Sequence, residues 1–233
     1  MDRIIYDIGS NNGDDIPYYL MKCDSVVAVE ANPTLSDNIK NRFTKEINEG
    51  RVVVENFVIT DEPNLGEVNF YMHKLMHVLS QFPIPPRREL RDYNVIKLPS
   101  KSILDIINKY GTPYYIKLDV EHYEVPLLKC LFKHNIRPKF ISAESHSWDV
   151  FETIYNEGQY KLFKLVTGWS VPFRYTNRLI KNYLTNDTTT YSFPEHSAGP
   201  FGDDIDGDWI NSNEFKILLS NVNVGWKDIH ATN

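Results

Sequence analysis

Cysteine is scarce in this 233-residue chain: Cys23 and Cys130 stand alone, each beside a lysine and inside helix-like sequence. That pattern excludes a disulfide framework and a cysteine metal site, and both thiols are expected to be reduced. Long apolar runs are also missing. None approaches the roughly 18 residues that span a bilayer, and the first residues lead straight into strand-like sequence with no room for a signal peptide. The expectation is a cytoplasmic protein with no membrane span. Positive charge is in deficit, with 25 Lys and Arg against 31 Asp and Glu for a net charge of −6. With no long basic tract, a nucleic-acid backbone is not the expected partner. There is no internal repeat, no low-complexity segment and no linker-like stretch, so residues 1–233 are expected to form one domain.

What is present suits a packed enzyme-sized core. Hydrophobic residues make up 42% of the chain and aromatic ones 13%, enough both to fill an interior and to offer rings for stacking on sugar or base faces. A local exception to the charge balance is Arg87, Arg88 and Arg91 after Pro83, Pro85 and Pro86, which reads as a solvated loop or as an arm toward an anionic part of a substrate.

Strand and helix patterns alternate: strands near 3–8, 25–30 and 51–54, and helices near 14–22 and 34–47. An extra strand is expected at 67–71 after the Asn64-Leu65-Gly66 turn, and the Pro-rich loop of 83–88 reads as an insertion that returns through 95–98. Ser102 and Asp105 have the spacing of a capping box, opening a helix that Gly111 and Pro113 end. A strand at 114–118, a helix at 124–132 with Pro126 in its first turn, and a strand at 139–143 follow. A sixth strand is expected at 160–166 and a seventh at 189–193. Repeated β-then-α units imply an α/β fold, Rossmann-like and doubly wound, with a mostly parallel seven-stranded sheet and a loop-rich C-terminal cap. Residues 1–158 would form its core, residues 159–233 would complete the sheet and cover the site, and ligands would gather at the strands' carboxyl ends.

Tyr6 to Gly13, Tyr-Asp-Ile-Gly-Ser-Asn-Asn-Gly, sets an apolar strand against a small, flexible turn where backbone can approach a ligand closely. A dinucleotide fingerprint needs glycine at three positions that are here Gly9, Asn11 and Asp14, so two of the three fail. Asp14 and Asp15 at the following helix start also disfavour a pyrophosphate, and a cationic ligand fits better. The second strand ends in Glu30, Ala31, Asn32 and Pro33, placing an acidic residue where it can accept hydrogen bonds from both hydroxyls of a ribose.

The spacing Asp7-x-Gly9-x-Asn11-x-Gly13 resembles the first motif of class I S-adenosylmethionine methyltransferases, with Asn in place of the middle glycine as in the FkbM-like methyltransferases. Asp119, Glu121 and Glu124 match the FkbM-like pattern Asp-x-Glu-Gly-x-Glu, with His122 where that family usually has glycine. Glycine there suggests an unusual backbone angle, which His adopts more readily than most residues. The resemblance covers about residues 4–148 and implies S-adenosylmethionine as cofactor, with the glycine turn on its amino-acid end. The cofactor residues it implies are Asp7, Gly9, Ser10, Asn11, Gly13, Asp14, Glu30, Ala31, Asn32, Asn56, Phe57 and Asp119. Members of that family commonly methylate hydroxyl groups of sugars, which implies a sugar or glycan acceptor.

A hydroxyl needs a base before it can attack a methyl group. The candidates for the acceptor side are Asp119, Glu121, His122, Glu144 and His146, with His146 slightly favoured as base. Asp119, Glu144 and His146, with Glu121, could also bind a divalent metal, although no compact metal motif is present and a metal is not the favoured reading. The stretch His196 to Asp204 reads equally as a mobile lid or a plain loop, and Trp169, Trp209 and Trp226 read better as packing than as stacking platforms. Two rival readings stay open: an NAD- or nucleotide-sugar-dependent Rossmann enzyme, and a non-catalytic module that binds S-adenosylmethionine.

Overall fold

A computed structural model of the chain describes residues 3–63 and 65–233. Its elements begin with β1 (Ile4–Ile8), α1 (Ile16–Tyr19), β2 (Ser25–Val29), α2 (Pro33–Arg42), α3 (Thr44–Asn48), β3 (Val52–Glu55), β4 (Val58–Thr60), β5 (Glu67–His73) and β6 (Tyr93–Ser102). Next come α4 (Ile103–Tyr110), β7 (Tyr115–Leu118), α5 (Glu124–Lys133), β8 (Phe140–Ser145), α6 (Trp148–Glu152) and β9 (Leu162–Thr167). The chain closes with α7 (Val171–Arg174), β10 (Arg178–Lys181), β11 (Thr188–Tyr191), β12 (Ile210–Asn211), α8 (Ser212–Val222) and β13 (Gly225–Thr232).

The main sheet has eight strands in the order β12-β9-β13-β8-β7-β1-β2-β3. From β8 to β3 every neighbouring pair is parallel. β13 runs antiparallel between β8 and β9, and β12 runs antiparallel on β9. Alternation along the strands divides the core in two. Tyr6, Ile8, Val27, Val29, Ile116 and Leu118 face one side, under α4, α5, α6 and α8. Ile5, Val26, Ala28 and Tyr115 face the other, under α1, α2 and α7. Helices therefore cover both faces, which is why these strands read as nearly continuous apolar runs.

Three expectations are corrected. The sheet is one strand wider than the seven expected, because β12 adds to β9. The seventh strand was expected at 189–193, but Thr188–Tyr191 pairs with Arg178–Lys181 as a separate two-stranded sheet, and β13 fills the place beside β8. β13 hides from periodicity because its buried positions include Asp228, His230 and Thr232. The helices expected at 14–22 and 34–47 are shorter or broken: α1 spans four residues, and the second divides at Phe43 into α2 and α3.

The insertion between β3 and α4 builds its own three-stranded sheet in the order β4-β6-β5, with β6 parallel to β4 and antiparallel to β5. Val58, Phe70 and Leu98 form its small core. Asn64, in the turn expected before β5, lies outside the described residues. The capping box at the start of α4 is present: the Ser102 hydroxyl accepts from the Leu104 N–H, and Asp105 accepts from the Ser102 N–H. No helix among the described residues is long and apolar enough to cross a membrane.

Candidate active site

At the carboxyl end of β1 the chain turns through Gly9, Asn11 and Gly13 at φ of 82°, 49° and 76°. The two glycines have different reasons. A Cβ on Gly9 would stand 1.7 Å from the Asp119 carbonyl oxygen, so the tips of β1 and β7 touch there and only glycine fits. A Cβ on Gly13 would press at 3.1 to 3.2 Å on Ile39, Phe43 and Ile16, so this glycine serves the packing of α2. Glu30 spans the turn and the tip of β2: its carboxylate accepts the N–H groups of Asn11 and Asn32, each at 2.7 Å. Burial pushes the Glu30 carboxyl up to about 7 against the pull of those two donors.

The loop after β7 brings the acidic residues together. Glu121 and His122 both take left-handed backbone, at φ of 51° and 70°, so His122 does hold the conformation that glycine would favour. Glu124 begins α5, and its Oε1 accepts the Val120 N–H at 3.0 Å, closing the loop. From the tip of β8, His146 places Nε2 at 2.8 Å from Glu144 Oε2, 3.6 Å from Glu121 Oε2 and 4.0 Å from Glu124 Oε1. None of these is aligned as a hydrogen bond, and Nε2 is buried without a partner. The ring of His122 lies 4.1 Å from that of His146, centroid to centroid. Asp228 on β13 stands directly opposite Glu144, and its Oδ1 is likewise buried without a partner.

Beneath this cluster lies Lys117, 3% exposed, with Nζ at 3.2 Å from Asp119, 3.4 Å from Asp7 and 3.9 Å from Asp15. Burial alone would lower its pKa, but Asp119, Asp7 and Asp15 hold the ammonium well above the usual lysine range. Burial, reinforced by Asp119 and Glu124, raises Glu144 to about 10, and burial with Glu144 and Asp119 raises Glu121 to about 8. Burial, then the facing His146, pulls His122 below the ordinary imidazole value.

These groups open on one cavity of about 590 Å³, well within the range of small-molecule sites. Of the cofactor residues expected from sequence, Gly9, Asn11, Glu30, Ala31, Phe57 and Asp119 line it. So do Glu121, His122, Glu144 and His146. The others lie behind the wall. Asp7 is buried against Lys117, and the Ser10 hydroxyl donates to the Asp7 carbonyl at 2.7 Å. Asn32 caps α2 through the Thr34 N–H, and Asn56 donates to the carbonyls of Glu30 and Ala31. Asp14 pairs with Arg42 at 2.7 Å, so its charge is met on the surface and not by a ligand.

Several lining residues escape sequence reasoning. Asp228 lies on the unrecognised β13, and Met76 to Ser80 with Phe82 form a wall contributed by the insertion. Lys117 carried a usable signal, a lysine inside the apolar strand Tyr-Ile-Lys-Leu. His196 to Asp204 packs against the body of the protein as a strap. His196, Ser197 and Ala198 reach the cavity, Phe201 stacks on Tyr115 at 4.0 Å, and Asp15 accepts from the Ser197 hydroxyl and the Ala198 N–H. Trp226 is half exposed at the cavity, whereas Arg87 and Arg88 are exposed away from it.

A cleft at the carboxyl edge of parallel strands, with helices on both faces, places the molecule among the doubly wound α/β proteins that bind ligands at that edge. Residues 7–170 match the Methyltransferase FkbM domain, and the chain belongs to that family of methyltransferases. Among solved structures it is similar to a methyltransferase FkbM from Methylobacillus flagellatus, at 16% identity and a TM-score of 0.44. That alignment covers 70% of this chain and 39% of the other, so the chain spans well under half of that protein's length. It is similar also to a precorrin-6y C5,15-methyltransferase from Geobacter metallireducens, at 9% identity and a TM-score of 0.41, covering 82% of this chain and 76% of the other. No curated protein matches the chain.

Proposed function

We propose that the chain is an S-adenosylmethionine-dependent O-methyltransferase acting on a hydroxyl of a sugar in a glycan, polysaccharide or glycoconjugate. One observation carries this reading: a single cavity joins the Gly9–Asn11 turn and Glu30 on one side to the acid and imidazole groups of Asp119 to His122 and Glu144 to His146 on the other. Family membership implies the methyl donor, and the residues present fit it. Asn11 Oδ1 is a buried acceptor without a partner beside the cavity, and Glu30 keeps acceptor capacity beyond its two backbone donors. Val29, Phe57 and Ile59 give an apolar wall next to them. When bound, S-adenosylmethionine supplies an electrophilic methyl group.

The chain's own groups do the rest. Glu30 and Asn11 bind and orient, while Asp119, anchored by Lys117, lines the same cavity. His146 Nε2 is shut in by three carboxylates, whereas His122 is exposed and lines the open side. His122 is therefore placed to take the proton of an acceptor hydroxyl at a ring nitrogen, and the half-exposed Trp226 offers a face on which a sugar can stack.

Calorimetric titration with S-adenosylmethionine and, separately, NADH tests the cofactor. Heat with the first and none with the second is expected; no heat with S-adenosylmethionine at high micromolar concentration overturns the reading. With labelled S-adenosylmethionine and a glycan panel, Asp119→Asn should abolish methyl transfer. His122→Gln should lower kcat roughly 10²- to 10⁴-fold with unchanged cofactor affinity.

A further inference from the structure

The acceptor side of the cavity gathers five carboxyl groups in one place. Asp119, Glu121, Glu144 and Asp228 all line it, with Glu124 just behind. Among the described residues, the only lysine or arginine paired with any of these five is Lys117, on Asp119. Carboxylates packed this closely in a weakly screened interior repel one another strongly unless they hold protons or something positive sits between them.

The donor atoms fall into overlapping groups that share Glu144. Those of Asp119, Glu121 and Glu144 lie within 4.8 Å of one another, as do those of Glu124, Glu144 and His146. His146 Nε2 is 2.8 Å from Glu144 Oε2 and 3.6 Å from Glu121 Oε2. Ligands at about 2.1 Å from an octahedral ion stand about 3 Å apart when adjacent and about 4.2 Å when opposite, so groups held within 4.8 Å need only a small inward shift of their side chains to close on an ion. A second observation is independent of the crowding. Asp228 is 3% exposed, lines the cavity opposite Glu144, and leaves Oδ1 without a partner. The buried His146 Nε2 is also without a hydrogen bond, although a carboxylate oxygen is in reach. Buried polar atoms ordinarily find partners, and two orphans on residues that line one acidic pocket point to a ligand in it.

We propose that Asp119, Glu121 and Glu144, with His146 alongside Glu144, bind a divalent cation. Carboxylates in the majority with one imidazole suit Mg²⁺ or Mn²⁺, and no cysteine is near to favour a softer ion. The sequence spacing of these residues follows no metal motif because they come from two loops, after β7 and at the tip of β8. The binding site stands on this geometry alone. Its role, to hold an acceptor oxygen beside His122, rests on the methyl-transfer reading.

The test uses the full chain, stripped with chelator and titrated with Mn²⁺, while the electron paramagnetic resonance signal of free Mn²⁺ is followed. One ion per chain is expected, displaceable by Mg²⁺. Glu144→Gln, which keeps the side-chain shape, should weaken binding at least tenfold, and so should His146→Gln, a second variant from the same loop with circular dichroism as the check on folding. Wild-type protein that binds no Mn²⁺ at millimolar concentration overturns the site, as does unchanged affinity in both folded variants. Cofactor calorimetry on the same samples separates the two readings. A chain that binds S-adenosylmethionine but not Mn²⁺ loses the metal site alone, and one that binds Mn²⁺ but not S-adenosylmethionine keeps the site and loses the proposed function.

Discussion

Gly9 is fixed by another part of the protein before any ligand arrives. Its φ of 82° is costly for other residues, and an added Cβ would stand 1.7 Å from the Asp119 carbonyl oxygen. A backbone atom cannot swing aside as a side chain can, so Gly9→Ala must part the tips of β1 and β7. That displaces Asn11 on one lip of the cavity and Asp119 on the other. The expected result is a loss of about 2 to 4 kcal/mol in urea unfolding, with cofactor affinity at least tenfold weaker by calorimetry. An alanine variant that folds and binds like the wild type would show the two tips to be independent. The turn itself is legible in sequence, because Asp-x-Gly-x-Asn-x-Gly after an apolar run has few other uses. Which glycine meets the cavity is not legible, since it depends on a contact with Asp119, 110 residues away, and on α2 for Gly13. For the same reason Asp7, Ser10, Asn32 and Asn56 belong to the motif yet support the cavity wall from behind it.

At the scale of elements, strands whose two faces both meet helices are easy to read, and β1, β2, β3, β7 and β8 lie where their apolar runs put them. β13 is the counterexample. Its Asp228 belongs to the cavity and its His230 and Thr232 are buried, so the strand looks polar in a sequence where buried strands look apolar. Exposed Thr188 to Thr190 carry the opposite false signal, β-branched residues in a hairpin that leaves them in water. The strap of 196–204 is invisible for another reason: its anchor is Asp15, whose carboxylate accepts from both the Ser197 hydroxyl and the Ala198 N–H. Asp15→Asn keeps the shape but replaces two charge-assisted bonds with neutral ones, forces the Ser197 hydroxyl, which already accepts from the Gly199 N–H, to accept from the new amide as well, and takes a carboxylate away from Lys117. We expect a loss of about 1 to 3 kcal/mol in denaturant unfolding with the far-ultraviolet circular dichroism unchanged, because the sheet is untouched. Wild-type stability in this variant would mean that the strap is held by Phe201 stacking alone.

Across the whole molecule, one buried ammonium connects what the chain keeps apart. Lys117 sits on β7 near the middle of the sheet and reaches Asp7 on β1, Asp15 under the C-terminal strap and Asp119 at the cavity. Lys117→Met retains most of the side-chain volume but strands carboxylates in a site where Asp7 is fully buried and Asp15 nearly so. Breaking a buried pair by removing one partner costs about 3 to 5 kcal/mol, more than the Asp15 substitution, because the charges left behind have no partner of opposite sign. The pH dependence follows from the direction in which burial moves those acids. Asp7 is raised and Asp15 is raised to about 7 even with Lys117 present, burial being the largest cause of each. Without the ammonium both rise further. A carboxyl whose pKa is higher folded than unfolded binds more protons in the folded state, so unfolding free energy falls as pH rises through the window between the two values. The Lys117→Met variant should therefore be most damaged at pH 8 and recover part of its stability at pH 5, where its freed carboxyls are protonated. Thermal unfolding of the variant and the wild type at the two pH values measures this. A deficit equal at both would mean that Lys117 acts by packing and not by charge.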